Sequence, residues 1–97
     1  MRPENAAQFL TVALERKNPE RILQVLREIA RTRGMSKVAE RAGLRRESLY
    51  RSLAPGALPR FETILNIVLA LGIEFSAQPM LPGRVLPARP KRPTGVA

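Results

Sequence analysis

Chain punctuation is the feature that most constrains this sequence. Asn18-Pro19, Gly34, Gly43, Ala54-Pro55-Gly56 and Gly72 cut it into short stretches, and those stretches carry apolar residues at helical spacing. Such a chain folds as several short helices sharing one core, because helices of this length are marginal alone. Residues 5–17 place Ala6, Phe9, Leu10, Ala13 and Leu14 on one face. In Asn18-Pro19-Glu20 the Asn is a good N-cap, the Pro is preformed for the first helical position, and the Glu suits the positive end of the helix dipole. The helix that follows carries Ile22, Val25, Leu26 and Ile29 in a core-facing stripe, with Arg31 and Arg33 in its last turn and Gly34 as a left-handed stop. Ser36 is placed to cap a short helix through Ala42, ended by Gly43. Another runs from about Arg46 to Leu53. Pro59 precedes a last helix over residues 61–71, with Phe61, Ile64, Leu65, Val68 and Leu71 facing inward. Residues 73–78 alternate apolar and polar, the period of a strand; alone, that strand has to pair with a second copy of the chain. The expectation is an all-α domain of five helices over residues 1–78, with the short C-terminal strand left open.

Ninety-seven residues make one small domain, whose modest core leaves room for stabilisation by dimer formation. There is no His, Cys, Asp or Trp, and all eight acidic residues are Glu. Histidine acid–base catalysis, thiol chemistry, Ser-His-Asp arrangements, disulfides and Cys/His metal sites are therefore excluded, and no cofactor or small-molecule substrate is expected. The expectation is a binder, not an enzyme. Seventeen Lys and Arg against eight Glu give a net charge of +9, which points to a polyanionic partner, nucleic acid first. The longest apolar run, residues 67–71, is far too short to cross a bilayer, and the first residues lack the apolar core of a signal peptide, so a cytoplasmic location is expected. Residues 79–97 hold four bases, no acid and five of the nine prolines, and read as an extended, solvated tail. Its Arg84, Arg89, Lys91 and Arg92 serve solubility or track phosphates without sequence preference.

The informative stretch is residues 35–53. Val38, Ala42, Leu44 and Leu49 face the core, with Leu53 one turn beyond Leu49. Ala39 is small where two helices cross closely, and Gly43, four residues on, can take positive φ in a tight turn. The second short helix then leaves Arg46, Glu47, Ser48, Tyr50 and Arg51 outside, a shape that fits the major groove of B-DNA. Arg46 and Arg51 are placed for base contacts, since Arg bidentate to guanine is the commonest specific contact. Lys37 and Arg45 suit backbone phosphates, and Ser48 and Tyr50 have hydroxyls that reach phosphate. Glu47, four residues before Arg51, either pairs with that Arg or accepts from cytosine. Each candidate also has a plainer role, as a solvated helix charge or, for Tyr50, as a ring packed on the domain edge.

This stretch resembles the helix-turn-helix of the Cro/repressor (XRE) family, carried by Ala39, Gly43, Leu44 and Leu49. A narrower likeness runs through Ala30 to Ser36, the Arg46-Glu47-Ser48-Leu49-Tyr50-Arg51 block, Phe61 to Leu65 and Ala70-Leu71-Gly72, which look like the HigA-like antidote proteins of addiction modules. One helix-turn-helix per chain reads one half-site, so a homodimer on a palindromic double-stranded DNA operator is expected; the resemblance implies repression of its own operon and neutralisation of a RelE/HigB-like ribonuclease toxin. The residues themselves leave two other readings open. One is a free-standing phage-type repressor without a toxin; the other is a protein-interaction module that keeps the helix-turn-helix as scaffold.

Overall fold

The computed structural model describes residues 3–80, with side chains from Asn5 onward. Five helices follow one another: α1 (Pro3–Glu15), α2 (Pro19–Arg33), α3 (Met35–Ala42), α4 (Arg46–Ser52) and α5 (Phe61–Ala70). The architecture is all-α, and it is compatible with a small helix-turn-helix domain. Among the described residues no helix is long and apolar enough to cross a membrane.

Helix boundaries follow local chemistry. The Asn18 side chain accepts from the backbone N–H of Glu20 at 3.0 Å and of Arg21 at 3.4 Å, with Pro19 in the first turn of α2. At the end of α3, Gly43 lies in the left-handed region (φ 72°, ψ 28°). Its N–H bonds the Glu40 carbonyl, and the N–H of Leu44 reaches back to the Ala39 carbonyl at 2.9 Å. This pair of bonds is a Schellman motif, which folds Leu44 back over the helix end. The expected cap at Ser36 is not used. Gly34 (φ 100°, ψ 114°) ends α2 and begins α3 at once, so α3 starts at Met35 and Ser36 lies inside its first turn. Gly34 is a positive-φ stop, but its ψ lies outside the left-handed helical region.

α3 is the hub, packed against α2, α4 and α5, while α1 lies on α2. The fully buried large side chains are Leu10, Leu26, Ile29, Leu49, Leu53, Ile67, Val68 and Leu71. Three expected core faces are rotated. In α1 the inward residues are Ala6, Leu10 and Ala13, while Phe9 is 57% exposed and Leu14 is also outside. In α2 the burial centre is Leu23, Leu26, Ile29 and Ala30, with Ile22 and Val25 at its edge. In α5 Ile67 replaces Phe61, which is 69% exposed; Leu65 is half-buried. In residues 73–78 no strand forms. A second Schellman motif, Gly72 N–H to Leu69 and Ile73 N–H to Val68, steers Ile73 into the core. Phe75 packs against the core edge, and a groove of about 340 Å³ is lined by this segment and by α1 residues including Leu10 and Leu14. The alternating pattern thus records an extended segment with one side facing helices, not a sheet ladder. The expected tail lies, beyond Met80, outside the described residues.

Candidate nucleic-acid interface

α4 has seven residues, fewer than a helix needs to persist alone. Tertiary contacts hold it. Leu49 and Leu53 are completely buried, and the Arg27 guanidinium donates to the Leu53 carbonyl at 2.6 Å. At the far side of the same loop, the Glu20 carboxylate accepts from the Gly56 N–H at 3.2 Å. Both ties come from α2, so the position of α4 is set against α2 and α3 together.

The structure gives each of the five residues expected as helix-turn-helix scaffold a position. Val38, Ala39 and Leu49 are buried, Leu44 packs half-buried against the core, and Gly43 makes the turn. The outward residues are placed equally clearly: Lys37, Arg45, Arg46, Glu47 and Arg51 are exposed, Tyr50 is 43% exposed and Ser48 is half-buried. Arg45 occupies the N-cap of α4 with extended backbone and makes no side-chain cap bond. Arg46 lies over the Tyr50 ring at 5.6 Å from its centroid and points Nη2 at the hydroxyl at 3.5 Å. Arg51 Nη2 donates to Ser48 Oγ at 3.4 Å. These contacts are long and surface-exposed, so they orient the side chains without locking them.

Of the two roles open to Glu47, pairing with Arg51 is not seen. The ion pair among the described residues is Glu28–Arg31 at 3.6 Å, on α2. The outer side of α4 therefore presents two Arg and a Glu whose charges are free of ion pairs within the described fold. Net charge over residues 35–60 is positive, six bases against two Glu. That arrangement is suited to binding a polyanion. Among the described residues there is no cluster of His, Cys, Asp or Glu able to hold a metal.

Sequence reasoning missed one assembly. Arg33 and Arg41 join Lys37 around a small pocket closed by Val38 and Ala70. Arg33 reads in the chain as a cation complementing the end of α2, and Gly34 hides its spatial relation to α3. Only the sharp turn at Gly34 brings it beside the Lys37–Arg41 face.

A family model described as "Probable addiction module antidote protein" matches residues 2–79. A protein of Haemophilus influenzae, described as uncharacterized, is 40% identical over 70 residues, covering 72% of each chain. No solved structure matches. The family match spans all five helices and the turn that joins α3 to α4. The chain belongs to the family of probable addiction module antidote proteins.

Proposed function

We propose that this protein is the DNA-binding antitoxin of a toxin–antitoxin pair, a repressor of its own operon of the HigA-like, Cro/repressor (XRE) kind, and not an enzyme. The observation that carries the DNA reading is the outer side of α4. Arg46, Glu47, Tyr50 and Arg51 stand exposed on a short helix that Gly43 turns away from α3 and that two buried leucines anchor. Arg46 and Arg51 read bases, Lys37 and Arg45 grip phosphates, and Ser48 and Tyr50 support both through their contacts with the two Arg side chains.

One such helix reads one half-site, so the active form is a homodimer with its two α4 helices about 34 Å apart on a palindromic operator. Leu58, 96% exposed, and Phe61, three residues on, supply apolar surface for the second copy. The family supports a toxin partner. With a chain this basic, a RelE/HigB-like toxin is met through apolar surface, and Phe9, Val12 and Leu14 on the outer side of α1 supply it.

The test is fluorescence-anisotropy binding to the protein's own upstream promoter DNA and to a shuffled duplex, at about 150 mM salt. A preference of ~10³-fold or more for the promoter is expected. Arg46→Ala and Arg51→Ala should each cost about 1–3 kcal/mol and relax base preference. Equal, salt-labile binding to both duplexes overturns the reading and moves the protein-interaction alternative to first place.

A further inference from the structure

Among the described residues, the buried side-chain polar atoms without a hydrogen-bond partner belong to the Arg33 guanidinium. Its Nε and Nη2 are out of contact with water and have no hydrogen-bond partner. These two nitrogens bear hydrogens along the same edge of the guanidinium, the edge that grips two oxygens of an oxyanion side by side. Arg33 lines a pocket of about 220 Å³ with Lys37, Val38, Arg41 and Ala70. Three of those five residues are cations and none is acidic. Lys37 and Arg41 stand four residues apart on the exposed side of α3, so their charges reach the same mouth. Like charges gathered with no acidic side chain among them repel one another, and a buried unbonded donor is costly. An anion in the pocket removes both penalties.

We propose that Arg33, Lys37 and Arg41 form a binding pocket for a phosphate group, where the end of α2, the outer side of α3 and the end of α5 meet. A turn of the Arg33 side chain presents its free edge to two phosphate oxygens, and the Lys37 and Arg41 cations face the remaining ones. Phosphate fits better than a carboxylate because three cations call for more than two oxygens. Its source is either the DNA backbone or a free phosphate-bearing molecule. The pocket stands apart from the reading of bases by α4. Where DNA is the source, it adds a sequence-independent clamp to that reading.

The experiment uses the full chain and its Arg33→Gln, Lys37→Gln and Arg41→Gln variants. Thermal unfolding is followed with inorganic phosphate, acetate or chloride at matched ionic strength. Phosphate stabilises any protein somewhat by exclusion, so the readout is the difference between wild type and variant. Wild type should gain more from phosphate than each variant does, with apparent affinity about tenfold or more weaker in Arg33→Gln. Lys37 and Arg41 are exposed, so their variants keep the test open if Arg33→Gln fails to fold. An identical phosphate response in all four proteins, or an equal response to acetate, overturns the proposal. In that case the guanidinium is held only by the negative end of the α5 dipole.

Salt-dependent binding to the shuffled duplex then identifies the source. A log–log slope reduced by about one in Arg33→Gln and Arg41→Gln, equally on promoter and shuffled DNA, assigns the phosphate to the backbone. An unchanged slope with the phosphate response intact assigns it to a free ligand. A wild type that prefers no duplex but keeps its Arg33-dependent phosphate response sinks the base-reading role of α4 and leaves the pocket standing.

Discussion

At Gly43 a single missing side chain sets the angle between two helices. A Cβ built there meets nothing within 4 Å, so space is not the reason for glycine. The reason is the backbone, at φ 72°, where an L side chain crowds its own carbonyl. Gly43→Ala should therefore cost about 1–2 kcal/mol in urea unfolding, and Gly43→Asn less, because Asn tolerates this region. Equal losses for Ala and Asn in equilibrium unfolding would show that something other than φ is at stake. Lys17, at the end of α1, is the converse case: a non-glycine residue at φ 55° whose N–H bonds the Leu14 carbonyl. Lys17→Gly removes that strain and is expected to raise stability by about 0.5–1 kcal/mol, read as a higher midpoint at unchanged urea slope. Both positions are local, and Gly43 was legible from the chain alone because a glycine four residues after Ala39 ends one helical pattern as another begins.

At the scale of elements, α4 shows why a pattern of apolar residues is not enough. Its spacing identifies Leu49 and Leu53 as inward and Arg46 and Arg51 as outward, and the structure agrees. What holds the helix at its angle is a contact from twenty-six residues earlier, Arg27 to the Leu53 carbonyl. No local signal marks that pair, since Arg27 reads as one more surface cation on α2. Arg27→Met keeps the aliphatic stem and leaves the carbonyl without its donor. A loss of about 1–3 kcal/mol is expected, with faster amide exchange along α4 than along α2. Uniform exchange in both helices would mean that Arg27 does not tether α4. The same limit explains the rotated faces. Phe9 and Phe61 sit at apolar positions of helical patterns, but a helix with apolar residues on more than half its circumference can bury either flank. Packing of α1 on α2, and of α5 on α3, chose Leu10 and Ile67 instead.

For the whole molecule, the exposed apolar residues and the surplus charge act together. A chain of net charge +9 repels its own copies, so self-association needs an apolar contact that outweighs the repulsion or a polyanion that neutralises it. Leu58 and Phe61 supply the contact in the proposed homodimer. Sedimentation equilibrium should give a dimer for wild type and a monomer for Phe61→Glu, with helix content by circular dichroism unchanged because Phe61 carries no core packing. Phe61→Glu that stays dimeric would place the interface elsewhere, and a wild type monomeric both free and on its operator would overturn the two-half-site arrangement.

Sequence by itself determined the number of helices, most of their ends, and which side of the α3–turn–α4 unit faces solvent. Those features depend on backbone conformations and periodicities that a residue and its near neighbours impose, as at Asn18, Gly43 and Gly72. Tertiary structure alone decided which flank of α1, α2 and α5 is buried, and that residues 73–78 lie beside helices with no strand partner. It also brought Arg33 next to Lys37 and Arg41, and left the Arg33 edge unbonded. Each of these depends on where a second element lies in space. An apolar or cationic side chain responds to total surroundings, and its position in the chain carries no record of them.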